Sequence, residues 1–202
     1  MEFDIKRGSI IFHKNLNTLD EMALEFSSRL SLMGIKHSFL LGYVAILFGR
    51  NRASEDIDVV CQRFSLETFE DLWGSIIHDY DCIITNNAKE AYVDYLNTGL
   101  ALRFARKGYI IPNIEMKFAT NTLQHNAISK SIIVTVNQQN IPISPMEQQI
   151  AYKLFLGSGK DIEDARFLFK LFREHLDTQL LNDYIEKLEI PETDAQRQLG
   201  WN

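Results

Sequence analysis

Gly42-Tyr43-Val44-Ala45-Ile46-Leu47-Phe48-Gly49-Arg50-Asn51-Arg52-Ala53-Ser54-Glu55-Asp56-Ile57-Asp58-Val59-Val60 is the stretch on which the reading of this chain turns, because it ends in two carboxylates one residue apart at the start of an apolar run. If residues 57–61 form a strand, Asp56 and Asp58 project to one side while Ile57 and Val59 face the other. Two adjacent negative charges repel, and a cation between them relieves the repulsion. Mg²⁺ takes oxygen ligands from one or two carboxylates and fills its remaining positions with water and phosphate oxygens. An isolated Asp-x-Asp reads first as the polar side of a half-exposed strand. This pair, however, has Gly42 upstream, directly after Phe39-Leu40-Leu41, as in a strand that feeds a tight turn and a short helix. Gly49, Arg50 and Arg52 lie between, and arginine suits planar recognition of phosphate.

The segment resembles the signature of the polymerase-β-like nucleotidyltransferases: a glycine turn, a spacer of about a dozen residues, then Asp-x-Asp on a strand. It is similar in particular to small bacterial and archaeal members, among them the abortive-infection-type nucleotidyltransferase toxins, whose run Gly-Arg-x-Arg-x-[Ser/Thr]-x-Asp-Ile-Asp is matched by residues 49–58. The resemblance implies Asp56 and Asp58 as catalytic metal ligands for Mg²⁺ or Mn²⁺, and Gly42, Tyr43, Arg50, Arg52 and Ser54 at the nucleotide. The family usually carries Gly-Ser or Gly-Gly in the turn, where this chain has Gly42-Tyr43.

About ninety residues downstream, Ile143-Ser144-Pro145-Met146-Glu147-Gln148-Gln149-Ile150-Ala151-Tyr152-Lys153-Leu154-Phe155-Leu156-Gly157-Ser158-Gly159-Lys160-Asp161-Ile162-Glu163-Asp164 looks like the family's helical signature. Ser144 is the expected cap of a helix with Pro145 at its first position and Ile150, Leu154 and Phe155 on its apolar side. Gly157 and Gly159 end it, and Asp161 with Asp164 would cap the next helix. By resemblance Lys153 and Asp164 belong to the active site. On composition alone Lys153 reads as a surface lysine with a buried stem, and Asp164 as a cap.

Elsewhere the pattern predicts a helix over 18–33 capped by Asn17 or Thr18, the first strand at 37–41, a helix over 65–77, a short strand at 81–85 and a helix over 88–96 ending near Gly99. Strands follow at 100–104 and 113–118, then a hairpin of 132–136 and 140–143 turning at 137–139, and three closing helices, with a loose tail after Pro191. Glu115 and Lys117 share one side of 114–118. Because the resembling enzymes often carry a third carboxylate on a neighbouring strand, Glu115 is its expected occupant, as catalytic and metal residue; an ion pair with Lys117 is the plainer reading.

The 202 residues, 46% hydrophobic, suffice for a real core. No apolar run reaches eighteen residues and no basic-then-apolar leader is seen, so a cytoplasmic protein without membrane contact is expected. Cys61 and Cys82 lack metal spacing, as do the five histidines. A net charge of −6 argues against indiscriminate nucleic-acid binding, although residues 103–107 and Lys6-Arg7 could form local basic patches. The expected fold is α+β: a small mixed sheet backed by helices over residues 1–143, and a C-terminal helical portion over 144–202 packed on it. The implied activity is transfer of a nucleoside monophosphate from an NTP to an RNA or tRNA end, a protein hydroxyl or a small molecule. As a toxin of a toxin–antitoxin pair, the chain would also have a cognate antitoxin. Tyr43 and the third carboxylate leave open a second reading, a protein of the same fold that binds nucleotide, RNA or a partner protein without catalysis.

Overall fold

The computed structural model describes residues 2–6 and 8–201. Its strands are β1 (Asp4–Lys6), β2 (Ser9–Phe12), β3 (His37–Leu40), β4 (Asp56–Cys61), β5 (Tyr80–Cys82), β6 (Leu102–Arg106), β7 (Asn113–Phe118), β8 (Ile132–Val136) and β9 (Gln139–Ile143). They form one mixed sheet in the order β1-β2-β8-β9-β3-β4-β7-β6-β5, so β3 and β4 lie at its centre. The helices are α1 (Thr18–Leu32), α2 (Gly42–Leu47), α3 (Leu66–Ile76), α4 (Ala88–Glu90), α5 (Thr122–Ser129), α6 (Met146–Leu156), α7 (Gly159–Phe172), α8 (Thr178–Lys187) and α9 (Glu192–Leu199). After α4 the chain continues through a π-helical turn, Ala91–Tyr95, and a 3₁₀ turn, Leu96–Thr98, that Gly99 ends at φ 88°.

The period-2 alternation of β4 and β7 sorts the two faces of the sheet. Ile57, Val59, Ile114 and Met116 are fully buried or nearly so. Phe104 of β6, which pairs with Ile114, touches Phe26 of α1 and Trp73 of α3 at ring-centroid distances of 5.7 and 5.9 Å, so α1 and α3 cover this face. On the other face Val60 packs with Ala119 and Ala127, bringing α5 over one end of β4 and leaving the end with Asp56 and Asp58 uncovered by that helix. Asn17 starts α1 through a reciprocal cap with Asp20, each side chain taking the other's backbone N–H.

Several expectations are corrected. The expected mixed sheet is present and extends beyond the expected strands, since β1 and β2 precede His37, and β2 joins β8 in parallel. The short run Ile10-Ile11-Phe12 does not alternate and gave no strand signal. A helix, α5, was missed because Ala127 is its one buried residue. Among the described residues four helices rather than three close the chain, and residues after Pro191 are no loose tail: α9 buries Ala195 and Leu199. Pro145, not Ser144, precedes the first residue of α6, while the Ser144 hydroxyl donates to Gln149 Oε1 at 2.8 Å. Ser158 caps α7, so Asp161 and Asp164 lie within that helix. The run 103–107 is not one patch, because Arg103 and Arg106 stand three apart on a strand and so face opposite ways. Arg106 pairs with Glu25 at 2.5 Å and lies over the Tyr80 ring. Lys6 pairs with Asp4, and Arg7 lies outside the described residues.

Candidate functional site

Antiparallel pairing of β3 with β4, parallel pairing of β4 with β7, and antiparallel pairing of β6 with β7 set Leu40, Asp58, Glu115 and Arg103 in one row across the sheet. Asp56 lies in the next row beside Asn113, whose Nδ2 donates to Asp56 Oδ1 at 2.8 Å. Asp56 and Asp58 therefore share one face, with Glu115 on the neighbouring strand. Burial, then the charges of Glu115 and Asp56, push the Asp58 carboxyl up to about 6, against the opposing pull of Lys117 and Lys153. A half-buried carboxylate among like charges favours a cation nearby.

Glu115 does not pair with Lys117. Its carboxylate is held by Arg103, with Nη2 at 3.1 Å and Nε at 3.2 Å. Among the described residues no group of three or more His, Cys, Asp and Glu side chains is arranged to hold a metal ion. Asp56 and Asp58 are hard oxygen donors of the kind Mg²⁺ or Mn²⁺ takes, with phosphates and water to complete the shell, and Glu115 stands beside Asp58 on the next strand.

The glycine turn is built around a close approach. A Cβ on Gly42 would overlap Arg52 Nη2 and lie 3.5 Å from Ser54 Oγ, so Gly42, Arg52 and Ser54 meet at one point. Leu41, just before it, adopts φ 59° and ψ −131°, a conformation usually left to glycine, and its carbonyl accepts from Gln149 Nε2 at 2.7 Å. Gly42→Ala should therefore behave unlike an ordinary helix substitution, in which alanine gains up to about 1 kcal/mol over glycine. The atom displaced is the tip of a flexible side chain, so swinging Arg52 aside should cancel that gain and leave stability within about 1 kcal/mol of the parent, measured by denaturant unfolding.

Tyr43, expected at the nucleotide, turns its side chain into the core. Its ring is fully buried against Phe39, on the side opposite Leu40 and Asp58, and its hydroxyl donates to Asp20 Oδ1 at 3.3 Å. Burial, then Asp20, raises its pKa well above the ordinary tyrosine value. Lys14 completes this anchor: its Nζ is 2.8 Å from Asp20 Oδ2 and donates to the Leu47 carbonyl at the end of α2. Tyr43 thus fixes α2 to α1, and its side chain is not available to phosphate.

Arg50, Arg52, Lys153 and Asp164 come together in a second cluster. Asp164, fully buried, has Arg50 Nε at 2.6 Å and Arg52 Nε at 3.4 Å from Oδ1, and Lys153 Nζ at 2.9 Å from Oδ2. Lys153 also meets Asp161 at 2.6 Å, and Arg50 meets the exposed Glu163 at 2.6 Å. The lysine is 2% exposed, so it is no surface lysine, and its ammonium already has two carboxylate partners. Its charge nonetheless reaches Asp58. The residues that sequence reasoning missed are the partners: Arg103, Asn113 and Gln149. Only cross-strand register and the return of α6 to the Leu41 turn reveal them.

No family model matches the chain, and no curated protein matches it by sequence. Solved structures do match in fold. An antigenic nucleotidyltransferase-like protein from Paracoccidioides brasiliensis superposes with a TM-score of 0.57 at 17% identity, covering 90% of this chain and 92% of that one. The protein JHP933 from Helicobacter pylori gives 0.45 at 14% identity, covering 92% and 94%. The first likeness shows a nucleotidyltransferase fold. The second is too distant to add to it. Among the described residues no helix is long and apolar enough to cross a membrane.

Proposed function

We propose that this chain is a Mg²⁺- or Mn²⁺-dependent nucleotidyltransferase that moves a nucleoside monophosphate from an NTP to a hydroxyl acceptor. The observation that carries the reading is the row of carboxylates: Asp56 and Asp58 on one face of β4, with Glu115 opposite Asp58 on β7 and Asp58 raised to about 6. Asp56 and Asp58 would hold the divalent ion, which when bound supplies charge neutralisation at the triphosphate and activation of the acceptor hydroxyl. In the transfer, the acceptor oxygen bonds to the α-phosphorus, the bond to the β-phosphate breaks, and pyrophosphate leaves with its charge. Glu115, steadied by Arg103, would take the hydroxyl proton. Gly42 would let the backbone approach the phosphates beside Arg52 and Ser54, and the cluster of Lys153, Arg50 and Asp164 would hold Arg52 in place, so that residues 144–202 close the site formed by 1–143. A fixed, preorganised cation stabilises charge that spreads in the transition state.

The acceptors implied by the resemblance are an RNA or tRNA end, a protein hydroxyl or a small molecule, in the cytoplasm, with an antitoxin as partner if the chain is a toxin. Capture of Glu115 by Arg103 and the inward Tyr43 favour a second reading, a non-catalytic nucleotide, RNA or protein binder. The test is label transfer from each of four α-labelled NTPs into total RNA, protein and aminoglycoside pools, with and without Mg²⁺. Metal-dependent label with stoichiometric pyrophosphate release supports transfer. Nucleotide or partner binding without label in any pool supports the binder.

A further inference from the structure

We propose that the cleft beside the carboxylate row seats the base of the nucleotide and selects adenine or cytosine, through the 6- or 4-amino group, over hypoxanthine or uracil, an inference that rests on the nucleotide-binding reading above. The cleft, which opens to solvent on one side, is lined among others by Leu40, Leu41, Lys117, Gln148 and Tyr152. Its position follows from the sheet. Leu40 pairs directly with Asp58, and Lys117 lies two residues beyond Glu115 on the same face, so the cleft borders the reacting end rather than a remote surface.

Three features match a base. Leu40 and Leu41 offer an apolar floor. Tyr152 supplies a ring on the wall, tilted 31° against Phe155 at 5.8 Å, and Phe155 is 54% exposed at the end of α6. Aromatic rings placed at the rim of a nucleotide site stack on bases whatever their identity. Gln148 supplies the discrimination. It is 6% exposed, its Nε2 donates to the Leu123 carbonyl at 2.8 Å, and its Oε1 has no partner. The Leu123 carbonyl can only accept, so the nitrogen must face it and the orphan is the oxygen. A buried acceptor without a donor is costly to leave unmet. The neighbouring Gln149 is no substitute, because both ends of its amide are engaged, by Ser144 and Leu41. An amino group on adenine or cytosine meets the Gln148 oxygen, whereas the carbonyl that replaces it in hypoxanthine or uracil sets oxygen against oxygen.

The experiment is calorimetric titration of the full chain, with Mg²⁺ and no acceptor, by ATP, ITP, CTP, UTP and inorganic tripolyphosphate. In at least one of the matched pairs, ATP against ITP or CTP against UTP, the amino base should bind about tenfold or more tightly than its carbonyl counterpart, and more tightly than tripolyphosphate. Gln148→Met should bring that pair together, and Tyr152→Leu, which sits on the rim and tests the site independently of any folding defect in the first variant, should weaken every nucleotide while leaving tripolyphosphate unchanged. Nucleotides that bind no better than tripolyphosphate, or a pair difference that survives Gln148→Met, overturn the base site and leave the nucleotide-binding reading intact. No binding of any of the five ligands removes both.

Discussion

Asp58→Asn will yield a metal-free protein that is more stable than the parent at pH 7 and has lost nucleotidyl transfer by about a thousandfold or more, equivalent to roughly 4 kcal/mol of transition-state stabilisation. The two halves of this outcome share a cause. Burial and the charges of Glu115 and Asp56 raise the Asp58 carboxyl from 3.8 to about 6, so the folded chain pays for the ionised form. An acid whose pKa is higher folded than unfolded takes up a proton on folding between the two values. The penalty is absent below 3.8, grows as pH rises, and is complete above about 6. Asparagine keeps the shape without the charge. Denaturant unfolding should therefore show the variant ahead by up to about 3 kcal/mol at pH 7 and level with the parent below pH 4. Equal stability at both pH values would mean that Asp58 is solvated better than its surroundings indicate. Asp56→Asn should match the loss of transfer, and the double variant should be scarcely worse than either single one, because residues that serve one ion act as a unit.

The parts of the fold that were legible in the sequence are those whose signal is local. Alternation at 56–60 and 113–118 marks β4 and β7 and their two faces, and Asn17 and Ser65 start α1 and α3 by accepting backbone N–H groups three residues on. The hairpin of β8 and β9 is marked by Asn137 and Gln138, which take φ of 48° and 71° in its two-residue turn. What escaped depends on distant partners. Polar α9 buries Ala195 and Leu199, too few apolar residues to give a period. Tyr43 turns inward because Asp20 and Lys14, from the segment before α2, wait for its hydroxyl and the end of its helix. Glu115 meets Arg103 through the β6–β7 register, which no spacing along the chain displays.

The same distinction governs Asp164, whose replacement should be the most destabilising single change in the candidate site. Asp164→Asn removes the one fully buried carboxylate that Arg50, Arg52 and Lys153 share. Arg50 and Lys153 keep Glu163 and Asp161, so the loss falls hardest on Arg52, whose one ion pair among the described residues is with Asp164. Breaking a buried pair by deleting one partner leaves an uncompensated charge in a poorly solvated place and costs about 3–5 kcal/mol. Glu163→Gln, at a side chain 64% exposed on the same cluster, should change stability by less than about 1 kcal/mol. The contrast should persist at high salt, which screens exposed pairs more than buried ones. Removing a cation together with the anion separates charge from packing: Lys153→Met with Asp164→Leu should recover part of the single-variant loss, read as a coupling term in a double-mutant cycle. Nucleotide affinity should fall in Asp164→Asn at temperatures where the variant is still folded, because Arg52, which occupies the space a side chain at Gly42 would fill, is no longer held from α7. Unchanged affinity in the folded variant would reduce Asp164 to a brace between helices.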